Sequence, residues 1–327
     1  MIVVMERGAT EEQIEHVIDK LVALEFSVHR STGEVHTILG GIGPDEVAPE
    51  VFEVLDGVKE CYRIVSPYKL ASRSFRPEGT VVKVGAREIG GAGIEVAVGV
   101  SRVESAEHLK AVAGYASASG AGLMQCGLRP ASREADLAAA REAASAHGLG
   151  VVVEATDSAQ VERLAESVDA IRIGGRHMQN EALLEAVGAC GKPAILNRDR
   201  AATIDEWLMA AECLLKAGNY QVVLCERGIR TFETHTRLTM DVSAIAAVKR
   251  LSHLPVIADP SKATGRRDRV LPMARAAVAA GADGLLIDVH PDPESAALDG
   301  PQALKPEQFA ELMQQVAAIA AAMGRGR

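Results

Sequence analysis

Aromatic side chains are scarce, at 3% of the 327 residues, with a single tryptophan, Trp207. Positive charge is also short: 35 Lys and Arg stand against 44 Asp and Glu, for a formal net charge of -9. That balance argues against a nucleic-acid partner. No apolar run approaches the ~18 residues a membrane span needs, and the N-terminal MIVVMERGA lacks a basic lead and a signal-like core. A cytoplasmic protein with no membrane partner is therefore expected. The cysteines Cys61, Cys126, Cys190, Cys213 and Cys225 are scattered without a CxxC pair, as reduced thiols are. No GxxxxGK[ST] or GxGxxG follows a strand, so no phosphate loop is read. His235 and His253 have no partner at metal-ligand spacing.

What the chain does have is apolar runs that stop abruptly in charged or hydroxyl groups. LPVIADPSKATG (254–265) and GLLIDVHP (284–291) are the clearest. Buried parallel strands read this way, with functional groups at their C-terminal ends. Asp259, Ser261, Lys262, Asp288 and His290 then converge on one mouth, unless they only cap the helices that follow.

Residues 1–72 form a small unit. Strands at 2–5, 26–29, 36–39 and 58–65 and helices at 10–24 and 44–55, with a turn at Ser31-Thr32-Gly33, give βαββαβ, the ferredoxin-like plan. Residues 73–93 hold a linker that begins near Ser66 and a hairpin at 85–93. Residues 94–327 alternate strand and helix, with strands at 95–99, 122–126, 150–154, 170–173, 193–196, 221–225, 255–259 and 284–289. Eight such units make a (β/α)8 TIM barrel, whose sites lie at the C-terminal strand ends. A doubly wound open sheet is the alternative.

Those ends are rich in arginine. Arg176 follows two glycines, Glu226-Arg227 ends the sixth strand, and Arg266-Arg267 follow the seventh. They suit an anionic small-molecule substrate, although pairing with Glu226, Asp268 and other rim carboxylates is the competing reading.

LCERGIRTFETHT (224–236), SHLPVIADPSKATGRRD (252–268), GGRHMQN (174–180), ATIDEWLMAAE (202–212) and DVHPDPESAALDGPQAL (288–304) together resemble the 3-deoxy-D-arabino-heptulosonate 7-phosphate (DAHP) synthases. The N-terminal unit resembles the regulatory domain of the type Iβ members, which senses aromatic end products. The resemblance covers essentially the whole chain. It implies condensation of phosphoenolpyruvate with erythrose 4-phosphate at a divalent metal, in the shikimate pathway of aromatic biosynthesis, and a homo-oligomer.

The chain departs from the family where the chemistry is done. The family's metal ligands are a Cys in GPCSVES, a His in DPSHATG, a Glu in EVHP and a downstream Asp. Ser101, Lys262, Asp288 and Asp299 stand at those positions, and an ammonium is no metal ligand. The expectation is an internal ion pair of Lys262 with Asp288 and Asp299 and no metal or other cofactor. Of the phosphoenolpyruvate groups, Arg176 and Arg227 remain. Asn197 replaces a lysine, Gln125 replaces an arginine, and the loop after strand two shrinks to GLRPASREADL, where Arg129 is a partial substitute.

Three readings follow. The first is a repurposed aldolase or lyase of specialised metabolism acting on a 2-oxo acid or a shikimate-related acid, with Lys262 as imine former, general acid or salt-bridged filler and Asp259, Asp288 or His290 moving protons. The others are a non-catalytic paralogue that senses an aromatic metabolite, and a genuine DAHP synthase with an unusual site. Arg176, Arg227, Asn197, Gln125, Arg129, Glu226, Ser261 and Arg266 are the substrate-binding candidates.

Overall fold

The structure, a computed structural model, describes residues 1–32, 37–44, 47–63 and 67–326. Gly33 of the expected turn, His36 at the expected start of the second hairpin strand, and residues 64–66 lie outside that set. Contacts divide the chain into Met1–Pro67 and Tyr68–Arg327.

The first unit runs β1 (Ile2–Met5), α1 (Glu11–Ala23), β2 (Ser27–Thr32), β3 (Thr37–Ile42), α2 (Glu50–Glu53) and β4 (Val58–Tyr62). Its antiparallel sheet has the order β2-β3-β1-β4, the ferredoxin-like arrangement. Thr10 and Gln13 close a capping box on α1, and α1 buries Ile14, Val17 and Leu21 in a core with Phe26, Leu39 and Phe52. The sequence predicts a second helix over 44–55, but α2 has four residues and follows Pro49. Proline disfavours helical geometry in the residue before it, so the helix starts beyond it.

In the second unit, a hairpin of β5 (Val82–Val84) and β6 (Arg87–Ile89) precedes the barrel strands. These are β7 (Glu95–Val100), β8 (Leu123–Cys126), β9 (Gly150–Ala155), β10 (Ala170–Ile173), β11 (Ala194–Asn197), β12 (Val222–Glu226), β13 (Val256–Ala258) and β14 (Gly284–Asp288). They close in sequence order, β14 pairing in parallel with β7. The helices are α3 (Ala106–Ala118), α4 (Arg133–Ala146), α5 (Val161–Ala165), α6 (Glu181–Ala189), α7 (Ile204–Lys216), α8 (Val242–Leu251), α9 (Pro260–Thr264), α10 (Arg267–Ala279) and α11 (Pro306–Ala322).

Two apolar layers hold this fold together. One side of the strands meets the helices through residues such as Val98, Met124, Leu196, Trp207 and Leu224. The other fills the barrel with Ala97, Leu123, Val152, Ile195, Val223, Ile257 and Leu286, against Val82, Val84 and Ile89 of the hairpin. The bore is thus a packed core rather than a channel, and the chemistry is pushed out to the strand ends. His253, read from sequence as a surface or capping residue, is buried, its ring nitrogens bonded to Thr80 and to the Leu70 carbonyl.

Candidate active site at the barrel mouth

Strand register builds the centre of the mouth. Asp288, the last residue of β14, lies opposite Gly99 of β7. A Cβ at Gly99 would collide with Asp288 Oδ1, so glycine admits the carboxylate. On the next strand, β13 turns directly into α9. Asp259 caps that helix, its Oδ1 accepting from Lys262 N at 2.9 Å. This aims Lys262 across the mouth, where Nζ donates to Ser101 Oγ (2.7 Å), Asp288 Oδ2 (2.9 Å) and Asp299 Oδ2 (2.6 Å). Gln302 Nε2 also donates to Asp288 Oδ2, at 2.5 Å, and Ser261 Oγ accepts from Asp288 N at 3.0 Å. Asp299 is held in the left-handed region at φ 59°, a conformation aspartate tolerates better than most residues.

The charges polarise one another. Burial opposes the Lys262 ammonium, but Asp288, Asp259 and Asp299 outweigh it and raise its pKa. Burial likewise works against the Asp299 carboxylate, yet Lys262 and then Arg237 hold it below the usual range. Asp259 moves the other way: burial, and then the Asp288 charge, push it up to about 6. Its Oδ2 is buried and unpartnered. The folded chain therefore binds more protons at Asp259 than the unfolded chain does, and stability is lost as pH rises from the ordinary aspartate range through about 6. Replacing Asp259 with asparagine should flatten that slope in thermal midpoints measured across the same pH range.

Beside this tetrad of Ser101, Lys262, Asp288 and Asp299 lies a polar cavity of about 150 Å³ lined by Arg176, Arg198, Asp199, Arg200, Arg227, Arg237 and Lys262. Arg198 is committed to Asp241 at 2.9 Å and Arg237 reaches Gln302 at 2.9 Å, whereas Arg227 Nε is buried without a partner. Both side-chain polar atoms of fully buried Asn197 are also unpartnered. An orphaned donor set of this kind fits a ligand that brings its own oxygens.

Other candidates from the sequence sit elsewhere. Gln125 is buried and accepts from Arg172 Nη1 at 3.1 Å, and Arg172 also binds Glu154. Arg129 grips Asp136, and exposed Arg266 pairs with Asp268 two residues on, so neither lines the cavity. Glu226 receives Gly228 N and Asp241 N, which folds the loop after β12. Arg198, Arg200 and Arg237, which do line it, were not singled out from sequence.

A second cluster was missed as well. Glu104 precedes α3, His108 lies in its first turn and His290 follows β14, and one ligand atom from each falls within 4.8 Å of the others. His290 Nε2 is 3.4 Å from Glu104 Oε1, and the two imidazole centroids are 4.5 Å apart. Burial, then the charge of His290, holds His108 below the ordinary histidine range. The only sequence signal was the four-residue spacing of Glu104 and His108.

Residues 125–322 match the DAHP synthetase I family, and residues 1–66 match the DAHP synthase ferredoxin-like domain. Over 99% of its length the chain is 41% identical to the phospho-2-dehydro-3-deoxyheptonate aldolase of Thermotoga maritima, 99% of which is covered. A crystal structure of the T. maritima enzyme superposes with a TM-score of 0.79, at 41% identity and covering 99% of this chain and 98% of that one. A 2-dehydro-3-deoxyphosphooctonate aldolase of Enterobacter sp. is 30% identical over 53% of this chain and 64% of its own.

These likenesses overturn the expectation of a site without a metal. The full-length relative belongs to a metal-dependent family, and the chain offers a carboxylate and two imidazoles that can hold a cation. Both ring nitrogens of His108 are buried and unpartnered, and His290 Nε2, although 3.4 Å from Glu104 Oε1, makes no hydrogen bond, a donor set that fits a divalent transition metal. The sequence reading weighed only the four family positions, which here bind one another.

Proposed function

Since the chain belongs to the DAHP synthetase I family, we propose that it joins phosphoenolpyruvate to erythrose 4-phosphate, as a phospho-2-dehydro-3-deoxyheptonate aldolase does. The observation that carries this is the cavity beside Lys262, whose lining sets five arginines and a lysine against one aspartate. Two phosphates and a carboxylate need cationic partners of this number and planar geometry.

In this reading Arg176 and Arg227 hold the phosphate and carboxylate of phosphoenolpyruvate, and Asn197, at the end of β11, offers a buried amide without a partner. Arg200 and Arg237 face the sugar phosphate. Asp259, with a pKa near 6, exchanges a proton with the reacting centre at neutral pH. Lys262 keeps Asp288 in place and adds positive potential where alkoxide charge develops. A divalent metal, for which Glu104, His108 and His290 are the available donors, supplies Lewis-acid polarisation of a carbonyl when bound.

A lysine-imine route would need a neutral amine, whereas Lys262 is ion-paired to two carboxylates and held protonated. The geometry therefore favours the synthase over a repurposed imine aldolase. Incubating the chain with both substrates and Mn2+ should consume phosphoenolpyruvate and release inorganic phosphate, and EDTA should stop it. No consumption with any of several divalent metals would sink the reading.

A further inference from the structure

We propose that Glu104, His108 and His290 form a divalent transition-metal site of this chain, displaced from the four positions where the family's ligands are expected. The inference stands apart from the proposed reaction, because occupancy is read without substrate.

The argument begins with what the neighbouring tetrad leaves available. Lys262 Nζ donates to Ser101, Asp288 and Asp299 at 2.6–2.9 Å. A cation entering there would face an ammonium at bonding distance from every donor it needs. One cavity away the balance is reversed. A pocket of about 10 Å³, lined by Ser101, Glu104, His108, Asp288 and His290 among others, admits one small ion or water. Arg102 also lines this pocket, and Arg129 Nη1 reaches the Glu104 carbonyl at 3.5 Å, but among the described residues no ammonium or guanidinium is bonded to the side chain of Glu104, His108 or His290.

A simple Glu104–His290 ion pair does not account for the cluster. It leaves His108 with both ring nitrogens shut off from solvent and unpartnered, although neither has to be buried beside a second imidazole. Buried polar atoms in that state call for a partner. Asp288 Oδ1, at the edge of the same pocket, is unpartnered too.

The spacing is close to what an ion requires. Bonds of ~2.0–2.2 Å to nitrogen and oxygen place tetrahedral donors roughly 3.4 Å apart. Glu104 Oε1 and His290 Nε2 already stand 3.4 Å apart. His108, tied by no side-chain hydrogen bond, turns about χ1 and χ2 to close the remainder. The three residues sit on fixed elements. Ser105 Oγ accepts from His108 N and caps α3, Ala297 N donates to Glu104 Oε1 at 2.8 Å, and His290 N donates to the Leu304 carbonyl.

One adjustment is required. His290 Nδ1 now accepts from Asp292 N at 3.1 Å. Ligation through Nε2 moves the ring proton to Nδ1, so that amide must turn to water, which an exposed residue permits. Three protein donors leave open positions for water or a substrate oxygen, the pattern of a catalytic rather than a purely structural metal site.

The test is Co2+ titration of the chelator-treated full chain, followed by visible d–d absorption. One equivalent is expected, with bands typical of imidazole ligation. His108→Ala and Glu104→Gln should each weaken binding by at least about tenfold, while Asp299→Asn, whose side chain pairs with Lys262 and Arg237 and with none of the three ligands, should leave the spectrum and affinity unchanged. Circular dichroism of each variant shows that the fold is retained. No binding to the parent chain, or binding that survives both cluster variants and falls with Asp299→Asn, would overturn the assignment. A chain that binds Co2+ as expected but turns over no substrate refutes the proposed reaction and leaves the metal site standing.

Discussion

Replacing Lys262 with methionine is expected to destabilise the barrel by about 3–5 kcal/mol, the usual consequence of removing one member of a buried ion pair. Lys262 is 8% exposed, Asp288 1%, and the ammonium is the one side-chain cation bonded to Asp288 among the described residues. Its loss leaves Asp288 facing Asp259 in a site with little water, and Asp299 keeps only the longer 3.3 Å bond to Arg237. Methionine fills most of the volume, so the effect isolates charge from cavity formation. Denaturant midpoints at neutral pH check it. The loss should shrink on acidification, since Asp259 is then protonated and the uncompensated charge falls. An unchanged midpoint would mean that water or a dissolved cation replaces the ammonium without penalty.

Arg227→Met should do the reverse, costing activity and sparing the fold. Arg227 Nε is buried without a partner, and the side chain lines the anion cavity beside Gly228. A bidentate grip on a phosphate or carboxylate contributes two charge-assisted bonds of ~1.5–3 kcal/mol each, so kcat/KM should fall by about a thousandfold. The thermal midpoint should move little. Steady-state kinetics with phosphoenolpyruvate as the varied substrate separate the cases: a defect confined to erythrose 4-phosphate would move Arg227 to the other phosphate.

The barrel was legible because each strand is an apolar run cut off by charge: β13 runs straight into Asp259 and β14 ends on Asp288, in the two stretches that show the pattern most clearly. The pairing of Lys262 with Asp288 and Asp299 was legible through the family resemblance, which puts all three at positions that share one metal, so that opposite charges had to meet. The Glu104–His108–His290 cluster was not. Two of its members straddle the start of α3, and the third arrives from the far end of the chain through closure of β14 on β7. Arg129 and Arg266 misled for a local reason: each has a carboxylate within a few residues, Asp136 and Asp268, that captures it before any substrate can. The short α2 shows Pro49 overriding helical spacing.

Lys262 also bears on how the mouth behaves in solution. A free ion at that place would come and go with its supply, but an ammonium on a four-carbon stem has an effective concentration fixed by its tether. Dialysis cannot remove it and a chelator cannot compete for it. The geometry of Asp288, Asp299 and Ser101 should therefore persist through treatments that strip metals. That side of the mouth depends on a proton rather than on an ion in the medium.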